Sequence, residues 1–175
     1  FMQGMPVFFI HERLGHKGKS FRMIKFRSMR LGPSLSAKDD ESRLTNYGRF
    51  LRRFSIDEIP VLLNVLLGSM SLVGPRPMPI KYFKRFDNNQ LKRLSVKPGI
   101  TGLAQINGRN NISWEEKFNL DVKYVHNKSF RLDFLIILKT FVVVLKGTGI
   151  QPNENEIMPE FMGNEDGNNK RYKKI

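Results

Sequence analysis

Two adjacent carboxylates, Asp57 and Glu58, stand just ahead of a long apolar run in S-I-D-E-I-P-V-L-L-N-V-L-L-G-S-M-S-L-V-G-P-R-P, residues 55–77. The run closes on Gly74-Pro75-Arg76-Pro77, and three arginines, Arg49, Arg52 and Arg53, precede it. Carboxylates suit hard cations, and the planar guanidinium fork matches phosphate oxygens in pairs, so this is an arrangement for holding phosphate and metal. A structural role fits the same residues, since Ser55-x-x-Glu58 before an apolar run also reads as a capping box. Pro60 argues against that version. With Ser55 as N-cap, the proline ring clashes with the carbonyl of Ile56. With Asp57 as N-cap, Pro60 falls within the first turn and both carboxylates stand at the positive end of a helix.

The elements that must position this pair follow from turn chemistry and periodicity. Residues 7–10 and 21–26 are short β-type runs separated by a glycine-bounded turn at residues 15–19, which predicts a hairpin. On the second strand Lys25 and Arg27 point to one face and Phe26 to the other, so the two cations either face phosphate or line a solvated surface. Residues 31–43 read as a loop, and Thr45 as the N-cap of a short helix through Phe54. The run 59–67, interrupted only by Asn64, is expected to be buried, with Gly68 as its C-terminal stop. Each proline of the Gly-Pro-Arg-Pro turn fixes its own φ and restricts the residue before it, which would aim Arg76 with little entropy lost on binding; a plain connector with a surface arginine is the simpler reading. Residues 79–94 are expected to be a basic helix with Tyr82, Phe83 and Phe86 as a core or interface stripe. Gly108-Arg109 sets a further bidentate anion donor on a turn. Ser113 predicts the N-cap of a helix over residues 114–127, and residues 132–145 a second helix with amphipathic character.

Composition sets limits on the partners. The 175 residues carry a net charge of +14, and the excess lies in residues 1–150, with 26 Lys+Arg against 11 Asp+Glu. Such a field attracts polyanions, whether nucleic acid, anionic headgroups or a nucleotide diphosphate. Cysteine is absent, which excludes disulfides, thiol catalysis and zinc-thiolate sites. His11, His16 and His126 lack metal-ligand spacing and are given no role. No run reaches the roughly 18 to 20 apolar residues that span a bilayer. Residues 151–175 are rich in Asn, Glu, Gly and Lys and are expected to be a disordered polar tail after a catalytic domain over residues 1–150.

Four ordered motifs carry a resemblance: P-V-F-F-I-H-E-R-L-G at residues 6–15, I-K-F-R-S-M at 24–29, the D-E-I-P to G-P-R-P stretch, and K-P-G-I-T-G-L-A-Q-I-N-G-R-N at 97–110. Together they resemble the bacterial sugar transferase family, the monotopic phosphoglycosyl transferases, over about residues 6–146, and especially its small members. Val61 stands where the family usually has glutamine and Ser69 where it often has an acid. The resemblance implies an α/β or α+β fold, a small hairpin-led sheet with several surrounding helices, and not a Rossmann fold. It implies transfer of a phosphosugar from a UDP-sugar to polyprenol phosphate with release of UMP. Asp57 would be the nucleophile, Glu58 would hold Mg2+ or handle protons with Asp57 beside it, and Arg53, Arg76 and Arg109 would clamp phosphate oxygens. Pro75, Pro77, Lys25 and Arg27 would complete the substrate site. The family works at the cytoplasmic face of the bacterial inner membrane behind a hydrophobic re-entrant N-terminal helix; only residues 1–5 precede the P-V-F-F motif here, so that anchor is expected to be missing from this chain. The basic surface and the stretches 79–94 and 132–145 would then make the membrane contact. The runner-up is a basic nucleic-acid-binding module, though no DNA or RNA motif supports it. A membrane-surface module without catalysis is the third reading. The sequence sets no oligomeric state.

Overall fold

A computed structural model describes residues 4–32, 42–108, 111–146 and 160–163. Strands β1 (Phe8–Leu14) and β2 (Ser20–Phe26) form the antiparallel hairpin expected around residues 15–19, with Phe9 opposite Lys25 and His11 opposite Met23. Cross-strand partners share a face. Lys25, Met23 and Phe21 therefore lie on the side on which Met23 packs with Val61 and Met70. A second sheet, parallel and two-stranded, pairs β3 (Ser71–Val73) with β4 (Gly99–Thr101). The fold is thus the small α/β domain expected, with two short sheets where one was anticipated.

Helix α1 (Asn46–Arg53) starts where Thr45 predicts: its hydroxyl accepts from the Gly48 amide at 2.9 Å, one of the orphan donors of the first turn. Helix α2 (Val61–Leu66) and the short α3 (Leu103–Ile106) flank the parallel sheet. Helix α4 (Trp114–Asn127) opens on a complete capping box, Ser113 accepting from the Glu116 amide and Glu116 from the Ser113 amide. Helix α5 (Phe130–Lys146) begins two residues before the predicted start.

Three expectations are corrected. The apolar run 59–67 is not buried: Val61 and Asn64 face inward, while Leu66 and Leu67 are 82% and 79% exposed. On a short helix only one stripe meets the core, and here the lone polar residue belongs to that stripe. Residues 79–94 are two 3-10 turns, Ile80–Arg85 and Gln90–Ser95, because the Asp87 carboxylate takes the amides of Asn89 and Gln90 and breaks the helix between them. Tyr82 and Phe86 from that stretch do enter the core, but Phe83 stays outside. Finally, the segment expected as a polar tail contributes Phe161, 4% exposed, to a cluster with Tyr82, Phe86, Trp114 and Phe118. Glu160 fastens it outside through Lys81 and Arg85.

The parallel pair seats the proline turn. Gly74 donates to the Thr101 carbonyl at 2.9 Å and Gly99 to the Pro75 carbonyl at 3.0 Å. A side chain on Gly99 would collide with the Gly74 amide, so glycine permits this close approach of the two strand ends.

Candidate active site

Asp57 and Glu58 sit on the 3-10 turn Ile56–Glu58, entered through Ser55 in the left-handed conformation at φ 54°. Neither is a helix N-cap, and Ser55 makes no capping bond; α2 begins only after Pro60. A non-glycine residue in this region is strained. The bend it makes turns the chain out of α1 and sets the two carboxylates against β2 and the proline turn.

The two carboxylates are unlike. Glu58 Oε1 accepts from Lys25 Nζ at 2.6 Å and from Arg76 Nη2 at 3.1 Å. Burial alone would raise its pKa, but Arg76 and Lys25 outweigh that and hold the carboxyl at about 2. Asp57 is itself buried, and none of the described residues hydrogen-bonds its carboxylate. Burial pushes its pKa up, reinforced by the Glu58 charge and opposed by Lys25, Arg52 and Arg76. One acid is clasped by two cations and the other is uncommitted. That division leaves the Asp57 oxygens available to another group, with Glu58 fixed as its charged neighbour.

Of the residues singled out in the sequence, Lys25 and Arg76 meet Glu58 directly, and Pro75 and Pro77 are buried while the Arg76 side chain between them is half-exposed. Arg27 is buried and donates to the carbonyls of Gly4 and Met5, which fastens the segment that precedes the hairpin. Arg53 is exposed with its guanidinium over the Phe54 ring; the neighbour whose charge reaches Asp57 is Arg52, which also donates to Ser28 Oγ. Arg109 lies outside the described residues.

Several residues near the pair carried no sequence signal. His11 shares the Lys25 face of the hairpin, and its Nδ1 accepts from Arg13, since arginine can only donate. Burial, with Arg13, Lys25 and Arg76, lowers its pKa to about 3, so the ring is neutral. Arg93 and Asp121 form an ion pair behind Arg76, each side chain 1% exposed. Nothing local could announce a pairing across 28 positions.

A hairpin lysine, an acidic pair on a strained turn and an arginine between two buried prolines meet at one place, a set of groups chemically suited to phosphate. Comparison with known proteins agrees: residues 1–147 match the family described as bacterial sugar transferase. The chain is 50% identical over 165 residues to the uncharacterized sugar transferase EpsL of Bacillus subtilis, covering 93% of this chain and 82% of that one. It is 42% identical over 153 residues to the UDP-glucose:undecaprenyl-phosphate glucose-1-phosphate transferase of Xanthomonas campestris, covering 80% of this chain and 32% of the relative. It is 38% identical over 165 residues to the undecaprenyl-phosphate galactose phosphotransferase of Salmonella typhimurium, covering 83% and 35%. The chain belongs to the bacterial sugar transferase family.

Proposed function

We propose that this domain transfers a phosphosugar from a UDP-sugar to polyprenol phosphate, giving a polyprenol diphosphate sugar and UMP, the initiating step of a surface glycan. The names of the relatives from Xanthomonas and Salmonella support the substrate classes. The observation that carries the reading is the unlike pair, Glu58 clasped by Lys25 and Arg76 beside an uncommitted Asp57.

In the first step an Asp57 carboxylate oxygen forms a bond to the phosphorus that bears the sugar. The bond from that phosphorus to the bridging oxygen breaks, and UMP leaves with its electron pair. In the second step a phosphate oxygen of the polyprenol phosphate attacks the same phosphorus, and the Asp57 carboxylate is released. Arg76, half-exposed at the end of its rigid turn, offers its remaining donors to phosphate oxygens, and Lys25 keeps Glu58 ionised beside them. Arg53 and Arg109 belong to the substrate site in this reading through the family motifs, whereas the buried Arg27 holds the carbonyls of Gly4 and Met5.

The reading includes a divalent cation. Among the described residues no group of three His, Asp or Glu could hold one. Two neighbouring carboxylates suit Mg2+, which keeps most of its shell as water and substrate phosphate. Asp57 and Glu58 would hold it, and it would neutralise charge on the diphosphate.

We place the domain at the cytoplasmic face of the inner membrane. Among the described residues no helix is long and apolar enough to cross a membrane. Exposed Leu62, Leu63, Leu66 and Leu67 on and just after α2, with Phe134, Leu138 and Phe141 on α5, support contact with a lipid surface.

The test is UMP release from a panel of UDP-sugars with and without polyprenol phosphate and Mg2+. Sustained release needs all three, and a single turnover without the lipid leaves a phosphosugar adduct visible by intact mass. No UMP from any donor with lipid and Mg2+ present overturns the reading. An adduct that persists in Asp57→Asn overturns the assignment of Asp57.

A further inference from the structure

We propose that Arg93 is a positioning residue for Arg76, tying the backbone of the Pro-Arg-Pro turn to the buried carboxylate of Asp121 and so fixing where the Arg76 side chain starts its reach toward Glu58. The inference rests on the phosphate-handling role assigned to Arg76 above.

The guanidinium of Arg93 makes three bonds. Nε and Nη2 donate to Asp121 Oδ2 at 3.0 and 2.6 Å, and Nη2 donates also to the Arg76 carbonyl at 2.7 Å. Its Cζ lies 5.5 Å from the centre of the Phe86 ring and 5.3 Å from that of Phe118, so the planar cation is lodged between aromatic groups. Residues Gly74, Pro75 and Arg76 are therefore each held at one backbone atom, by Thr101, Gly99 and Arg93 respectively. With Pro75 and Pro77 limiting rotation on either side, the only long freedom left in the turn is the Arg76 side chain.

Stability gives little reason for this pair. Desolvating two charges is costly, and apolar side chains of similar size commonly serve a core as well. Asp121 Oδ1 is moreover buried without a hydrogen-bond partner among the described residues, so the pair is not arranged for its own satisfaction. What an apolar replacement lacks is a donor for the Arg76 carbonyl. Asp121 supplies the charge that lets such a donor sit buried directly behind a cationic site.

Lysine separates the two functions. In Arg93→Lys the charge opposite Asp121 remains, but one amine on a flexible stem cannot reproduce the planar fork that spans Asp121 and the Arg76 carbonyl. The experiment measures kcat and KM for the UDP-sugar in Arg93→Lys, Arg76→Lys and the double variant, each checked by thermal melting. Arg93→Lys is expected to lose about tenfold to a hundredfold in kcat/KM while folded, and the double variant to lose no more than Arg76→Lys alone, because the two changes strike one interaction. Losses that multiply, or wild-type kinetics in folded Arg93→Lys, overturn the proposal. A second arm does not depend on activity: exchange of the bonded amides of the turn, Gly74 and Gly99, is expected to quicken by about tenfold in Arg93→Lys with α4 amides unchanged. If the wild-type chain releases no UMP, the assigned reaction fails and this arm alone decides; unchanged exchange in the turn then overturns the positioning role.

Discussion

Asn64 and Ile24 are joined across forty positions, the Ile24 amide donating to Asn64 Oδ1 at 3.2 Å. The same side chain donates through Nδ2 to the Arg22 carbonyl at 2.7 Å and to Ser69 Oγ at 3.2 Å. Asn64 thus pairs with the free edge of β2 as a neighbouring strand would, one residue from Lys25. Its 4% exposure in an otherwise apolar helix follows, because a primary amide is the short side chain that both accepts from an N–H and donates to a C=O.

Asn64→Leu keeps similar volume but strands the Ile24 amide and the Arg22 carbonyl. Each stranded group costs about 1–3 kcal/mol, so a total loss of roughly 2–6 kcal/mol is expected in urea unfolding. Unfolding at the wild-type midpoint would show that water replaces the amide.

Asp57→Asn is expected to abolish turnover and to stabilise the domain at neutral pH. The sign follows from burial: the folded-state pKa of Asp57 lies above its unfolded value, so its contribution to stability falls as pH rises through that window and the ionised acid is a cost above it. The melting temperature of Asp57→Asn should exceed that of the wild type at pH 7, with the gain fading toward pH 3. A lower melting temperature at pH 7 would contradict an uncommitted, desolvated carboxylate.

Glu58→Gln has the opposite dependence. With the folded pKa held at about 2, below the unfolded value, the ionised acid stabilises the fold above about pH 4.5, and this is lost as pH falls toward 2. The variant should be less stable than wild type by roughly 3 kcal/mol at pH 7, because each tenfold change in proton affinity on folding is worth about 1.4 kcal/mol, and should converge with it in acid. Parallel denaturation midpoints for the two proteins between pH 2 and 7 would refute the clasp by Lys25 and Arg76.

These residues also mark what the sequence made legible. Ser113 and Thr45 announce their helices because capping is a local match between a side chain and an amide three residues on. The acidic pair, Arg76 between its prolines, and Lys25 could be singled out from residue type and order. The run 59–67 misled because composition says apolar without saying which face meets the core. Residues 79–94 misled because helical periodicity there competes with Asp87, which bonds the backbone of its own turn. Arg93 and Asp121 were beyond reach, since neither has a local partner that distinguishes it from a surface charge.

Lipid contact is expected to depend on α2. With Tyr82 and Phe86 committed to the core, the stretch 79–94 exposes only Ile80 and Phe83 in part among its large apolar side chains, while Leu66 and Leu67 project outward almost fully. Leu66→Ser with Leu67→Ser should weaken co-sedimentation with anionic vesicles most visibly at high salt, where the basic surface is screened within roughly 3 Å at 1 M. Equal salt-resistant binding by wild type and variant would assign the contact to α5 instead.

Phe161→Ala is expected to cost about 3–5 kcal/mol, the range for emptying a large aromatic site in a packed core. Thermal melting checks it, and a loss below about 1 kcal/mol would mean that the remaining rings close the gap.

The place of Phe161 in the chain has a consequence for biosynthesis. The rings of Tyr82, Phe86, Trp114 and Phe118 are all translated before residue 161, and Phe161 then packs against every one of them. During elongation this apolar surface emerges from the ribosome without Phe161 and stays open to solvent or chaperone until that residue arrives.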